Sequence, residues 1–173
     1  VLIYGATSGV GSAAIQIAKY FGAIVYTTVG NKNKNEYAKK IGADFIYNHN
    51  NKDWVSEIKE ELRGIKIDII FEHIGSDTWV KSLRLLAKGG RIVTCGATTG
   101  ANVKINLAHL FMKQQSILGS TMSNIDSFKE VMKLIENKVF FPFIDKIYNF
   151  SEIRDAHKRI EQRNQFGKVV LVS

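Results

Sequence analysis

Val1-Leu2-Ile3-Tyr4-Gly5-Ala6-Thr7-Ser8-Gly9-Val10-Gly11, followed by Ser12 to Gly22, is the stretch from which the fold is read. Its first four residues form an unbroken apolar run, the pattern of a strand buried on both faces. Helical periodicity takes over from about Val10 to Phe21, where Ala14, Ile17, Ala18 and Phe21 fall at i, i+3, i+4 and i+7. Gly22 supplies the stop. Between strand and helix lies Gly5-x-x-x-Gly9-x-Gly11. A helix starting at such a turn offers unpaired backbone N–H groups and the positive end of its dipole, which suits a phosphate. Gly9 and Gly11 lack the Cβ atoms that would obstruct a pyrophosphate and a close helix–strand contact. Thr7, Ser8, Gly9, Val10 and Gly11 are therefore candidate cofactor contacts.

Outward from this turn the same alternation repeats. Strands are expected at Ile24–Val29, around Phe45–Tyr47, and at Ile67–Phe71, Arg91–Cys95, Ser116–Leu118 and Lys168–Val172. Helices are expected through Ile41, over Asp53–Leu62, and over a stretch carrying Val80, Leu83, Leu86 and Ala87 that ends at the Gly89-Gly90 turn. Others are expected at Leu107–Met112, at Phe128, Val131, Met132 and Ile135 with Ser123 and Asp126 as a capping pair, and at Ile153, Ala156, His157 and Ile160. Such alternation predicts an α/β fold, a doubly wound parallel Rossmann sheet with helices on both faces. Residues 1–140 are read as the dinucleotide-binding domain. Residues 141–173, which contain the only proline, Pro142, are read as a separate C-terminal segment.

Composition narrows the function classes. Among 173 residues, 45% are hydrophobic and 23% charged, so neither a disordered tail nor a fibre is indicated. No apolar run reaches the roughly 20 residues of a membrane span, and no cleavable leader is recognisable. The net charge of +8 raises the question of nucleic acid, but the lysines are dispersed and no aromatic-interleaved basic motif accompanies them. No nucleic-acid or membrane partner is expected. A single cysteine, Cys95, excludes an internal disulfide framework and suits a reducing cytoplasm, the expected location. The chain opens in mid-strand without a methionine, which leads us to expect a piece of a longer protein.

The turn after the second strand bears on which dinucleotide binds. NAD enzymes place an acid there for the ribose 2′-hydroxyl. Here Thr27-Thr28-Val29-Gly30-Asn31-Lys32-Asn33-Lys34 holds no acid and two lysines, which would attract a 2′-phosphate. NADP is favoured over NAD, with Asn31 and Lys34 as candidate contacts. Short-chain dehydrogenases share the glycine turn but need Tyr-x-x-x-Lys for proton transfer. None of the six tyrosines has lysine four positions later.

A more extensive set of motifs is present: Gly9-Val10-Gly11 running into Ala14 to Lys19, Lys40-Ile41-Gly42-Ala43-Asp44, Phe71-Glu72-His73-Ile74-Gly75, Lys88-Gly89-Gly90-Arg91-Ile92-Val93, Gly96 to Gly100, Leu118-Gly119-Ser120 and Phe166 to Leu171. In these the chain resembles the medium-chain dehydrogenase/reductase superfamily, the zinc-type alcohol dehydrogenases and quinone oxidoreductases, over essentially its whole length. The resemblance implies that Ser8 to Gly11 hold the pyrophosphate and that Lys34 lies near the 2′-phosphate. It further implies that Ile74, Cys95, Gly96, Ala97 and Leu118 line the path from adenosine to nicotinamide, and that Lys168 reaches the cofactor phosphates. Relatives commonly carry Asp where this chain has Glu72, a change expected to bear on contacts near the ribose. The tail from about Phe141 is expected to pack on a GroES-like catalytic domain that precedes these residues, and to which any zinc of the full-length protein would belong.

No catalytic or metal-ligating residue is assigned within the chain. The four histidines lack ligand spacing: Lys113 stands four positions after His109, and His157 shares a helix face with Ile153 and Ile160, suggesting partial burial. Cys95 ends an apolar strand and reads as a small buried thiol that can touch the cofactor. Trp54 and Trp79 are expected to cover helix faces. The expected reaction is hydride transfer between nicotinamide and a carbonyl, alcohol, quinone or activated alkene, with the small-molecule substrate held through the missing domain. A non-enzymatic dinucleotide-sensing module is the alternative. The resemblance also implies a homodimer, for which Gln115 to Ser120 is the candidate edge.

Overall fold

Successive side chains of a strand point to opposite faces of its sheet, so an apolar run can feed two cores at once. A computed structural model describes residues Val1–Ser173. Six parallel strands, β1 (Leu2–Ile3), β2 (Tyr26–Val29), β3 (Phe45–Asn48), β4 (Ile67–Glu72), β5 (Leu86–Thr94) and β6 (Ser116–Gly119), form one sheet in the order β3-β2-β1-β4-β5-β6. That is the doubly wound order, reversing between β1 and β4. The helices are α1 (Gly9–Tyr20), α2 (Asn35–Lys40), α3 (Trp54–Leu62), α4 (Trp79–Leu85), α5 (Leu107–Met112) and α6 (Ile125–Glu136).

Leu2 and Tyr4 enter one core with Trp54, Ile58 and Leu62 of α3 and Trp79, Leu83 and Leu85 of α4. Ile3 enters the other with Ile15 of α1, Ala38 of α2, Val25 and Val29. Each leucine, isoleucine or valine among them contributes about 1.5–3 kcal/mol by leaving water. Both tryptophans stand at the first position of their helices and are buried, as expected of residues covering a helix face.

The tail forms a second, two-stranded parallel sheet, β7 (Ile144–Asn149) with β8 (Lys168–Val172), joined through α7 (Ile153–Glu161). β7 was not anticipated, because Ile144-Asp145-Lys146-Ile147-Tyr148 lacks clean alternation and its partner lies some twenty residues away.

Several local expectations are corrected. Leu86 and Ala87 leave the helix and begin β5: Leu86 pairs with Ile67, and both carbonyls accept from the Gln115 amide at 3.1 and 3.2 Å. Pairing and burial override helical periodicity there. Asn124, not Ser123, caps α6, its side chain accepting the Ser127 N–H at 2.8 Å. His157 is exposed, since Ala156 is the residue of α7 that turns inward.

Candidate dinucleotide site

The first turn of α1 is built for an anion. Ser8 caps the helix, its Oγ accepting the Gly11 N–H at 2.8 Å. The N–H groups of Gly9 and Val10 are left without an intramolecular acceptor, and Gly9 and Val10 reach solvent. Gly5 holds a left-handed φ of 66° and its N–H donates to Thr28 Oγ1 at 3.2 Å. A Cβ on Gly11 would collide with the Gly5 carbonyl, so this glycine permits the tight helix–strand contact. A Cβ on Gly9 would strike the Lys168 side chain. Its bareness thus serves a protein contact as well as any ligand, and it brings the Lys168 ammonium to the turn. Thr7 is almost buried and faces away from solvent.

The tail closes on this turn. The Gly167 N–H donates to Thr7 O at 2.8 Å, and Ser8 and Gly167 form an isolated parallel bridge. Gln16 clasps the Phe141 backbone from both sides, donating to its carbonyl at 3.0 Å and accepting its N–H at 2.8 Å. Asp145 fastens β7 to α7 through Arg159 and accepts the Phe166 N–H at 3.2 Å.

Lys34, expected as a free cation after β2, is instead nearly buried under the tail. Its Nζ donates to the Arg163 carbonyl at 2.7 Å and lies 5.5 Å from the centre of the Phe166 ring. Burial lowers its pKa, opposed by the Asp145 charge. This contact draws the segment after α7, with Arg163, to the end of β2. Arg163 was missed in the sequence because nothing local links it to a turn 129 residues earlier. His49, just beyond β3, belongs to the same neighbourhood. Loss of water around its ring, then the charges of Lys34, Arg163 and Lys81, lower its pKa. Asn31 is exposed and precedes the 3-10 turn Lys32–Lys34, its side chain making no capping hydrogen bond.

Across the strand-order reversal, the loop after β4 is pinned from below. Glu72 is fully buried and has no cation partner. Its Oε1 accepts the N–H groups of Ile74 (2.8 Å) and Gly75 (3.2 Å) and the Thr78 hydroxyl (2.9 Å), and its Oε2 accepts the Ser82 hydroxyl (2.8 Å). Four donors offset the cost of burying the carboxylate. Glu72 therefore acts on its surroundings through the loop it shapes, its own side chain being closed off from any ligand. His73 Nε2 lies 2.9 Å from the Tyr4 carbonyl, joining that loop to the phosphate turn.

Ile74, half-buried, and Cys95, Gly96 and Ala97, all exposed, sit where β4 and β5 end. The two loops are knit by Thr98 N–H to His73 O at 3.3 Å and Thr99 N–H to Ile74 O at 2.7 Å. Cys95 is exposed rather than buried, because β5 stops at Thr94 and the thiol belongs to the loop. Leu118 lies in β6, the edge strand, and is 47% exposed. The candidate residues thus collect along the carboxyl ends of the strands, the crevice where such sheets bind ligands. No group of three or more His, Cys, Asp or Glu side chains is arranged to hold a metal ion. No helix is long and apolar enough to cross a membrane.

Comparison with known proteins matches this picture. A family model described as zinc-binding dehydrogenase matches residues 9–137. Crotonyl-CoA reductase of Streptomyces collinus is 32% identical over 98% of this chain and 42% of its own length. Quinone oxidoreductase of Homo sapiens is 29% identical over 99% of this chain and 54% of its own. Among solved structures, an NAD-dependent alcohol dehydrogenase superposes with a TM-score of 0.90 at 36% identity, covering 99% of this chain and 50% of that one. The crotonyl-CoA carboxylase/reductase AntE in complex with NADP does so at 0.90 and 26%, over 99% and 48%. The chain therefore spans about half the length of the relatives it matches.

Proposed function

Because the chain belongs to the zinc-binding dehydrogenase family, within the medium-chain dehydrogenase/reductase superfamily, we propose that it is the cofactor-binding part of an NADP-dependent oxidoreductase. The observation that carries this reading is one convergence: a Ser8-capped helix start with two free N–H groups, Lys168 beside it, and the cations Lys34 and Arg163 gathered at the end of β2. No carboxylate stands between Thr27 and Asn35 to take a 2′-hydroxyl or repel a 2′-phosphate. Relatives described in complex with NADP support the same cofactor class.

In this reading the pyrophosphate rests on the Ser8 to Gly11 turn with Lys168 countering its charge, and the 2′-phosphate lies near Asn31, Lys34 and Arg163. Ile74, Cys95, Gly96, Ala97 and Leu118 line the way to the nicotinamide, which when bound gives or takes hydride. The chain's own residues bind and orient the dinucleotide and keep its reactive end in a defined place. The substrate is a carbonyl, alcohol, quinone or activated alkene, met by a GroES-like domain outside these residues. The tail segment 141–173 uses one side to close on the phosphate turn. Its bare residues Ile144, Ile147, Ile153 and Ile160 suit packing on that domain. The open edge of β6 is the surface we assign to a homodimer contact. No metal ligand is assigned to these residues.

Fluorescence titration of the chain with NADPH and NADH tests the reading. NADPH should bind about ten-fold more tightly, the weight of one charge-assisted contact. Arg163→Gln should remove most of that preference and leave NADH binding unchanged. Equal or tighter NADH binding overturns the NADP assignment, and failure of a folded chain to bind either overturns the dinucleotide site.

A further inference from the structure

One ionisable group beside the β2 turn is unused by this reading. His49 Nδ1 lies 3.3 Å from Thr28 Oγ1, and the same oxygen accepts the Gly5 N–H at 3.2 Å. Thr28 is wholly buried. The hydroxyl hydrogen can serve Nδ1 of a neutral ring that carries its own hydrogen on Nε2, and the oxygen's second lone pair can accept from Nδ1–H of a charged one. A Cβ on Gly30 would stand 3.4 Å from that Nε2, so the missing side chain keeps this edge of the ring clear. The Asn50 amide holds the Gly30 carbonyl at 2.7 Å and steadies the turn. The charged groups acting on the ring are Lys34 from the turn after β2, Arg163 from the segment after α7 and Lys81 from α4, all cationic. Three positive charges around a histidine with no carboxylate among them make a poor seat for imidazolium and a good one for a dianion.

Resting on the NADP reading, we propose that His49 is a proton-linked discriminator of the cofactor: its ring becomes cationic as a 2′-phosphate settles beside Lys34 and Arg163, so that the preference for NADPH over NADH rises as pH falls. Nδ1–H of the charged ring then donates to Thr28 Oγ1, and Nε2–H is free for a phosphate oxygen. The proton comes from solvent, and no bond in the cofactor changes.

The sign follows from the charges. In the free chain the surroundings hold His49 below the ordinary histidine value of 6.5. A dianion beside the ring raises that pKa. Between the two values, binding of NADPH takes up a proton, so its affinity grows as pH falls through the bound-state pKa and levels off below the free-state pKa. NADH has a hydroxyl at this position and lacks the coupling. The second ionisation of the 2′-phosphate, near pH 6 by analogy with other phosphate monoesters, acts in the opposite direction but equally in every variant.

The experiment is therefore a comparison among wild type, His49→Gln and His49→Lys, each titrated with NADPH and with NADH from pH 8 to pH 5.5, with thermal unfolding confirming a folded chain throughout. From pH 8 down to pH 5.5 the NADPH preference of wild type should rise several-fold relative to His49→Gln, toward the limit of about ten-fold that a one-unit rise in the ring's pKa sets. His49→Lys should show high preference already at pH 8 and the pH slope of His49→Gln. Parallel pH profiles for wild type and His49→Gln overturn the proposal while leaving NADP binding intact. Absence of any NADPH preference in wild type at every pH overturns both it and the reading beneath it. Should one substitution prevent folding, the slope of the other decides.

Discussion

Residues up to Ile92 and residues beyond it repeat the same strand-helix alternation, yet they hide their apolar surface very differently. Of the buried hydrophobic side chains, only Tyr148 and Ala156 lie after Ile92. Conversely, α5 and α6 bury no residue at all, and Leu107, Phe111, Met112, Met122, Ile125 and Phe128 are each more than half exposed. The first region supplies nearly all of the buried core, with helices on both faces of the sheet. The second adds few side chains to either core, and the apolar faces of α5 and α6 stay largely uncovered within the chain. Exposed apolar patches of this kind mark interaction surfaces. The difference separates residues that make the fold from residues that make the site's surroundings.

The contrast is broken most directly by truncation on either side of it. Ile70→Ala, in a fully buried site of β4, should lower stability by about 2–5 kcal/mol in urea unfolding. Phe128→Ala, on the open face of α6, should change it by less than about 0.5 kcal/mol. Comparable losses at both sites would mean that the second region is covered in solution.

Gly11→Ala sharpens the comparison at the joint between sheet and ligand. Its Cβ has nowhere to go but into the Gly5 carbonyl, so the turn must open. A cost of about 1–3 kcal/mol is expected from the forced shift, together with weaker NADPH binding in the same fluorescence titration. Unchanged affinity would show that the turn does not set the phosphate site.

A more modest loss than at Gly11 is expected in the tail. The Arg159 guanidinium holds the Asp145 carboxyl below the ordinary carboxylate value despite its burial, and the Phe166 N–H assists. A depressed pKa contributes stability above the ordinary value and loses it as pH falls from about 4 through the folded-state pKa. Asp44 acts in the same window: burial opposes its ionisation, but the Val25 N–H and Lys19 outweigh it and lower its pKa. Asp145→Asn should therefore cost about 1–2 kcal/mol at pH 7, discounted because Arg159 is partly exposed. It should also flatten, without abolishing, the fall in urea midpoint between pH 5 and 3. An acid dependence identical to wild type would remove Asp145 as the tail's fastening.

How much was legible follows from the range of the forces involved. The phosphate turn could be read because strand, glycines and helix are contiguous, and α1, α5 and β8 emerge with bounds close to those their periodicity suggests. Lys34 was legible as a positive charge after β2, but not as a residue clasped by the tail. Arg163 and His49 carried no signal, since each acquires meaning only beside Lys34. Cys95 looked buried because an apolar run precedes it, whereas strand ends are decided by pairing with the neighbouring strand. Glu72 drew notice only through the resemblance, as a departure near the ribose, and nothing in the sequence showed that its carboxylate is buried. Its four donors come from a loop and α4 that sequence could not bring beneath it.

By itself the sequence determined the doubly wound alternation, the order of apolar runs and the chemistry of the first turn, because hydrophobic periodicity and backbone stereochemistry act over a few residues. Tertiary structure alone decided which cations share the end of β2, that the tail closes on Thr7 and Gly9, and which apolar faces remain bare. Those outcomes depend on contacts between residues as far apart in the sequence as Thr7 and Gly167. Their energies exist only once the sheet has brought the partners together.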